Sequence, residues 1–270
     1  MLTLRCTYNG LVPVEAEAIA PDRLATLSLS QVASCSVYHG NRPATLGDFF
    51  EIEGDPSDAN VRIEGDCSRI KWLGSGMAGG CLTVRGSVGA HLASGMTGGC
   101  IDVDGNADDW CGAEMRGGHI RIRGSVGHKA GAAYPGSRRG MRGGLMLVEG
   151  NAGNDLGSVM RRGTIAVAGG VGEFAGAAMI AGSLLLFGKV GPYVGAGLNR
   201  GTIVTFADRP DMLPTFLYDC THRPQFVTLY LRHLLASGFA VPATAFAGRF
   251  DRFRGDVVAR GKGEVLVWRS

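Results

Sequence analysis

A glycine repeat constrains this chain more than any other feature of its sequence. Between residues 61 and 220 glycines recur every nineteen residues, with one longer step of twenty-six, in the column Gly80, Gly99, Gly118, Gly144, Gly163, Gly182 and Gly201. A second column with the same steps contains Gly86, Gly105, Gly124, Gly150, Gly169 and Gly188. A fixed period of this kind is typical of stacked-repeat proteins, in which each repeat contacts mainly its neighbours.

Each repeat begins with a short alternation of apolar and other residues, such as Leu82 and Val84 within CLTVR. A period of two with β-branched residues predicts a strand. Nineteen residues with three glycine corners are too few for a helical hairpin repeat, but they suit one coil of a β-solenoid. We therefore predict an all-β solenoid, specifically a single-stranded, right-handed parallel β-helix with coils of about 19 residues.

One large residue near the end of each repeat is usually methionine. Stacking at the inter-strand spacing of about 4.8 Å would bring these side chains into one column. A flexible thioether suits the packing of a core between coils, whereas a sulfur-ligand role is the alternative. The predicted core ladder is Met77, Met96, Met115, Met141, Met160 and Met179.

The repeat is flanked by segments of different character, which divides the chain into three parts. Residues 1–60 are predicted to form an N-terminal α+β cap, with strands in LTLRC and VPVEAEAI and a helical turn over 29–34 that begins at Ser28 or Ser30. Residues 61–220 are predicted to form the β-helix. Residues 221–270 are predicted to form a helix from Pro224 to before Gly238, followed by a hairpin of strands 256–258 and 264–268.

Composition narrows the class of protein. The apolar content of 45% is sufficient for a buried core, and the net charge of +3 is too small to indicate nucleic-acid binding. No apolar run reaches the length of about 18 residues that a membrane span needs, and the first ten residues lack the regions of a signal peptide. The seven cysteines form no CxxC pair, so we expect free thiols and a cytoplasmic location, although Cys81 and Cys100 share a column.

The longer step in the repeat carries an insertion, YPGSRRG, at residues 134–140. Insertions in repeat proteins become loops on one face, which is often the binding face. A basic surface here would suit an acidic partner or a polyanionic tail, whereas a solvated loop is the alternative. The residues assigned to this contact are Lys129, Tyr134, Arg138, Arg139, Arg142, Arg161 and Arg162.

The outward positions of the strands change from polar to apolar along the chain. Apolar residues on both faces of a strand indicate that both faces are covered, by the C-terminal segment, by another subunit, or by both. This apolar outer stripe contains Leu145, Leu147, Leu185, Phe187, Val204 and Phe206.

Motifs for catalysis are weak. The sequence GSGMAG at 74–79 matches GxGxxG, but it belongs to the glycine columns and has no following helix. The six histidines have no metal-ligand spacing, and the carboxylates Asp102 and Asp104 face arginines of neighbouring coils. No catalytic, cofactor-binding or metal-ligating residue is therefore assigned to this chain.

Three stretches, together with the coil pattern, carry a resemblance to a known family. They are YHGN with GDFF near the start, the insert YPG followed by GMRGG, and RFRGD with GKGE near the end. The chain resembles the C subunit of formylmethanofuran dehydrogenase, whose glycine-repeat β-helix is shared with the C-terminal domain of glutamate synthase.

That resemblance implies a non-catalytic subunit beside formyltransferase, amidohydrolase-like and molybdoenzyme-like subunits. The bias to arginine, with only four lysines, is closest to the bacterial formyltransferase/hydrolase complex. That complex moves formyl from tetrahydromethanopterin to a methanofuran-type carrier and hydrolyses it to formate, with metal in the amidohydrolase-like partner. The alternatives are the C subunit of a molybdenum or tungsten formylmethanofuran dehydrogenase in methanogenesis and a glutamate-synthase-like domain.

Overall fold

The computed structural model of the protein describes residues 1–269, and its regular secondary structure is mainly strand. The N-terminal part contains β1 (Leu2–Cys6), β2 (Val14–Glu15), α1 (Pro21–Leu24), α2 (Leu29–Ala33), β3 (Ser36–His39), β4 (Arg42–Thr45) and β5 (Phe50–Gly54). The repeats contain β6 (Asn60–Glu64), β7 (Ile70–Lys71), β8 (Cys81–Arg85), β9 (Cys100–Val103), β10 (His119–Ile122), β11 (Arg142–Val148), β12 (Arg162–Val167), β13 (Ser183–Leu186) and β14 (Arg200–Thr205). The C-terminal part adds β15 (Leu217–His222), α3 (Gln225–Ala236), β16 (Arg249–Gly255) and β17 (Lys262–Arg269).

One long sheet of thirteen strands organises the protein, and its central run is parallel. The strands β6 and β8 to β14 lie side by side in chain order. Paired residues are one repeat apart, so Leu82 lies opposite Ile101, and across the insertion Ile120 lies opposite Met146. The predicted all-β architecture with stacked parallel strands is confirmed by this sheet.

Backbone contacts between successive repeats continue beyond the sheet. A second parallel line of single bridges joins Cys67, Val88, Ala107, Val126, Ala152, Val171 and Val190 in turn. At the glycine corners, the N–H of Gly112 donates to the carbonyl of Leu92, and that of Gly131 to the carbonyl of Cys111, both at 2.8 Å. The corner N–H groups of one repeat therefore find their hydrogen-bond acceptors in the preceding repeat, as buried backbone groups require.

The six methionines of the core ladder are all fully buried. Each methyl group lies beside a glycine of the following repeat: a Cβ added to Gly99 would lie 2.6 Å from Cε of Met77, and one added to Gly118 would lie 2.7 Å from Cε of Met96. Gly99 also has a φ of +83°, which side chains rarely adopt. The glycine and methionine columns therefore depend on one another.

Two strands of the N-terminal part continue the long sheet, and the other three belong to a small second sheet. Strand β1 pairs parallel with β6, with Leu4 opposite Ile63, and antiparallel with β5. A small second sheet in the order β4-β3-β2-β7 joins this part to the first repeat. Helix α2 begins after Ser28, whose side chain accepts from the backbone of Gln31 in a capping box.

The C-terminal strands extend the other end of the sheet. Strand β17 pairs parallel with β14, with Ile203 opposite Val265, and β16 and β15 follow antiparallel. The predicted first strand of the hairpin, residues 256–258, was wrong: the strand is Arg249–Gly255, and Val257–Ala259 is a single turn of 3-10 helix. The side chain of Asp256 caps that turn by accepting from the N–H of Val258, which ends the strand.

The expectation that all cysteines are free was wrong for one pair. Cys81 and Cys100, paired in the register of β8 and β9, form a disulfide with their Cα atoms 4.7 Å apart. Five free cysteines are described, namely Cys6, Cys35, Cys67, Cys111 and Cys220. None of the helices within residues 1–269 is both long enough and apolar enough to cross a bilayer.

Candidate functional site

A column of outward-facing residues precedes the glycine corners. Each has a left-handed backbone, with φ between 60° and 66°, and each lies one repeat from the next. Because successive repeats pair in register, equivalent side chains of this corner column stack above one another. The column contains Trp72, His91, Trp110, Lys129, Asp155, Phe174 and Tyr193.

The first four members of this column form an aromatic stack that ends in a cation. The rings of Trp72 and His91 are 4.1 Å apart and nearly parallel, at 8°, and His91 and Trp110 are 6.3 Å apart at 14°. Nζ of Lys129 lies 5.5 Å from the Trp110 ring and forms an ion pair with Asp155 at 3.0 Å. The charge of Lys129 is therefore already matched within the column.

Tyr134, the first residue of the insert, lies against this aromatic stack. Its ring is 4.8 Å from that of Trp110, and its hydroxyl is hydrogen-bonded to Nδ1 of His91 at 2.8 Å and to Oγ of Ser94 at 2.9 Å. Its backbone N–H donates to a carboxylate oxygen of Glu114 at 3.3 Å. These contacts fold the start of the insert back over the two preceding repeats.

The protonation states of this pair favour anchoring over proton transfer. Burial raises the pKa of the Tyr134 phenol. Burial also lowers the pKa of the His91 imidazole, and the nearby Lys71 ammonium lowers it further. Because the two pKa values move apart, the phenol keeps its proton and the imidazole is neutral near pH 7.

The far end of the insert is held by the next repeat. Nε of Arg161 donates to the carbonyl of Arg138 at 3.0 Å, and the N–H of Arg139 donates to Oγ of Ser137 at 3.2 Å. The loop between Tyr134 and Arg138 is thus fixed at both ends.

The predicted basic contact is brought together only in part. Arg138, Arg139 and Arg162 are exposed, and no ion pair to any of these or to Arg161 occurs among residues 1–269. Lys129 is neutralised by Asp155, and Arg142 is half-buried with its Nε enclosed and lacking a hydrogen-bond partner. Four unpaired arginines, Arg138, Arg139, Arg161 and Arg162, therefore make up the cationic surface.

The apolar outer stripe lies beneath the C-terminal segment of the same chain. Leu145, Leu147, Leu185 and Val204 are buried against Val227, Leu231, Leu234 and other residues of that segment. Phe187 and Phe206 are partly buried and stack at 4.5 Å. Of the coverings that the sequence left open, the structure shows the first: the C-terminal segment of the same chain covers the stripe.

Two acidic residues of the third repeat, Asp102 and Asp104, are paired with arginines. Arg85 contacts Asp104 at 2.6 Å, and Arg123 contacts Asp102 at 2.7 Å. These pairs lie at the surface, where an isolated ion pair contributes about 0–1 kcal/mol. No group of three metal-ligating side chains is present in the part of the chain that the structure describes.

Comparison with known proteins connects this fold to one family. The structure matches a chain of the "formyltransferase/hydrolase complex (FhcABCD) from Methylorubrum extorquens in complex with methylofuran", with a TM-score of 0.91 and 33% identity over 99% of this chain and 100% of that chain. Among curated relatives, the C subunit of the molybdenum-containing formylmethanofuran dehydrogenase 1 of Methanothermobacter thermautotrophicus is 45% identical over 82 residues. The chain belongs to the family of formylmethanofuran dehydrogenase C subunits.

The similarity to other members of this family is concentrated in part of the chain. The match to the Methanothermobacter thermautotrophicus protein covers 30% of this chain and 20% of that relative. The C subunit of the tungsten-containing formylmethanofuran dehydrogenase 2 of Methanothermobacter wolfeii is 39% identical over 85 residues, which is 30% of this chain and 32% of that relative. No protein-family model matches the chain.

The aromatic stack of this family member was not predicted from the sequence. Its residues stand two positions before the small-residue column, so Trp72 precedes Gly74 and His91 precedes Ala93. The same nineteen-residue spacing that identified the glycines could have identified this column. Its mixture of aromatic, charged and polar types hides it from a search for identical residues.

Proposed function

We propose that this chain is a non-catalytic structural subunit of a one-carbon complex that transfers formyl from formyl-tetrahydromethanopterin to a methanofuran-type carrier and hydrolyses it to formate. The observation that carries the proposal is the match along the whole chain, at 33% identity, to a chain of the formyltransferase/hydrolase complex. Its partners would be formyltransferase, amidohydrolase-like and molybdoenzyme-like subunits, with metal held by the amidohydrolase-like partner and the assembly in the cytoplasm.

A second candidate is the C subunit of a molybdenum or tungsten formylmethanofuran dehydrogenase. The curated relatives with these names support it over about a third of the chain. The third candidate is a glutamate-synthase-like domain, which would have only the glycine-repeat coil in common with this chain. The match over 99% of the chain includes the insert and the C-terminal strands, and it favours the formyltransferase/hydrolase complex.

We propose in addition that the repeats wind as a right-handed, single-stranded β-helix, with residues 1–60 as an N-terminal cap and residues 221–270 as a C-terminal cap around 61–220. The parallel sheet and the second parallel line of bridges support this path. The side chains that could take part in a reaction are engaged in structural contacts, which supports the inferred non-catalytic role. Tyr134, His91 and Glu114 hold the insert, and Asp102 and Asp104 pair with arginines.

The four unpaired arginines suit an acidic ligand. We propose that they guide the acidic tail of the methanofuran-type carrier, because guanidinium groups bind carboxylates in bidentate pairs and their combined field attracts a polyanion. Replacing both Arg138 and Arg139 by Glu should weaken the apparent affinity of the complex for that carrier, most strongly at low salt. The control is Arg42→Glu, an exposed arginine of β4 in the N-terminal part. Unchanged assembly together with unchanged carrier affinity would refute this contact.

The proposal as a whole is tested by purifying a tagged copy from the native host at low salt. Mass spectrometry of everything that elutes should find formyltransferase and amidohydrolase-like chains in fixed ratio. Molybdenum or tungsten in the same fraction would favour the dehydrogenase candidate. A chain that elutes alone would contradict both.

A further inference from the structure

Helix α3 has two apolar faces, and only one of them is covered. Val227, Leu231 and Leu234 face the sheet and are buried. On the other side, 38% of Phe226 and 66% of Leu229 are exposed. An exposed pair of large apolar residues on an otherwise anchored helix is a feature of protein-binding surfaces.

The exposed pair forms a ridge between two grooves. One groove, of about 430 Å³, is lined by Phe226, Leu229, Tyr230 and His233. The other, of about 560 Å³, is lined by Arg223, Gln225, Phe226, Thr228, Leu229 and Arg232. One wall of the first groove, Tyr230, is held in place because Ser183 donates a hydrogen bond to its hydroxyl at 2.9 Å.

The charge around the ridge has a single sign. Helix α3 contains Arg232 but no acidic residue, and Arg223 lies two residues before its first residue. A guanidinium N–H of Arg223 donates to the carbonyl of Phe246 at 3.0 Å, and no ion pair to Arg223 or Arg232 occurs within the described range 1–269.

This charge distinguishes between possible occupants. Two copies of the chain meeting through this face would place arginines against arginines, which disfavours association. A segment of another protein that combines apolar side chains with carboxylates would fill the grooves and pair with both arginines.

We infer that the ridge of Phe226 and Leu229 docks an apolar, carboxylate-bearing segment of a different subunit of the complex. This inference rests on the proposed function and names the face through which the chain would hold one of its partners. In this arrangement the buried face of α3 covers the sheet, and its exposed face binds the partner subunit.

The test uses the tagged full-length chain in its native complex, with the photoreactive residue p-benzoylphenylalanine at position 229. Irradiation should join it to one peptide of one other subunit, and that peptide should contain apolar residues with Asp or Glu beside them. Three outcomes would overturn the inference and leave the proposed function standing. They are a cross-link to a second copy of this chain, a cross-link to a peptide without carboxylates, and the absence of any cross-link in a complex that is recovered intact. Failure of the unsubstituted tagged chain to recover any complex would refute the proposed function and with it this inference.

A charge reversal provides a second measurement. Arg232→Glu should reduce recovery of the cross-linked subunit by about tenfold at low salt, because it removes one attraction and adds one repulsion. Arg42→Glu is the matched control and should leave recovery unchanged. Circular dichroism and thermal unfolding of both variants verify folding. Equal recovery with a folded Arg232→Glu chain would contradict the pairing with carboxylates.

Discussion

The hydroxyl of Tyr134 is hydrogen-bonded to Nδ1 of His91 at 2.8 Å, although the two residues are 43 positions apart. The contact ties the only long insertion in the repeats to the aromatic stack of earlier repeats. It determines where the insert lies, and therefore where Arg138 and Arg139 lie on the surface.

Removing the Tyr134 hydroxyl should loosen the insert without unfolding the protein. We expect Tyr134→Phe to lose about 1 kcal/mol of unfolding free energy through its bonds to His91 and Ser94, and Tyr134→Ala to lose more because the stack on Trp110 is also lost. Urea unfolding measures the loss, and hydrogen exchange over 134–140 locates it. Tyr193→Phe is the control, because Tyr193 lies in the corner column outside the insert and 42% of it is exposed. Equal effects of the two Tyr→Phe changes would contradict the anchor.

The dependence of the glycine column on the methionine column can be measured by two alanine substitutions. Gly99→Ala places a Cβ 2.6 Å from both Cε of Met77 and the carbonyl oxygen of Gly80, whereas Gly95→Ala meets nothing within 4 Å. Both positions have positive φ, at +83° and +65°, so the strain of a left-handed alanine is common to both. Overpacking should make Gly99→Ala less stable than Gly95→Ala by about 1–3 kcal/mol. Thermal or urea unfolding of both variants measures this difference. Similar losses of unfolding free energy would show that the methionine side chain moves aside without cost.

The two faces of α3 should respond differently to the same substitution. Leu231 is 1% exposed and packs over the apolar outer stripe, so Leu231→Ala should cost about 2–5 kcal/mol of unfolding free energy. Leu229 is 66% exposed, so Leu229→Ala should change stability by no more than about 0.5 kcal/mol in the isolated chain. Denaturant titration of both variants is the measurement. A large loss from Leu229→Ala would mean that the exposed ridge contributes to folding rather than to docking.

Stability should decrease below about pH 6.5 because of His91. Its folded pKa lies below the ordinary value of 6.5, so the unfolded chain takes up the proton first as the pH falls. Unfolding free energy is then lost from pH 6.5 down to the folded pKa, by at most about 1.4 kcal/mol per pH unit. Burial lowers the pKa of His119 as well, with His233 and Arg121 nearby, and His119 contributes in the same direction.

The His91→Gln variant separates the two histidines. Unfolding measured from pH 8 to pH 5 should show a shallower decline for His91→Gln than for the unsubstituted chain, and a shallower one still when His119→Gln is added. An unchanged slope in the double variant would assign the acid sensitivity to other groups.

The disulfide between Cys81 and Cys100 should be detectable as a linked peptide. Cys81→Ser should lower the unfolding free energy of the oxidised protein by about 3 kcal/mol, because the bond restricts a loop of nineteen residues in the unfolded chain. That difference should disappear in dithiothreitol, and Cys35→Ser, at a free cysteine, serves as the control. Complete alkylation of Cys81 without reductant would refute the bond.

Cys111 should resist alkylation in the folded protein, since burial raises the pKa of its thiol to about 12.

The sequence by itself determined the stacked architecture, because contacts between equivalent positions follow directly from a constant period. Leu82 pairs with Ile101 one repeat later, and Met77 packs under Gly99, as a repeat of nineteen residues requires. The insert and its arginines were also found from the sequence, since they break the period. The disulfide was missed even though the columns brought its two cysteines together, because adjacency does not decide the oxidation state.

Only the tertiary structure decided how the non-repeating segments lie on the repeats. The period carries no information about a segment that occurs once, so it could not show that Tyr134 turns back to His91 or that Leu231 covers the apolar outer stripe. Both contacts join residues that are far apart in the chain, and they form because the folded repeats offer a complementary surface. Those two segments also provide Arg138, Arg139 and the exposed ridge, which the proposals for this protein use.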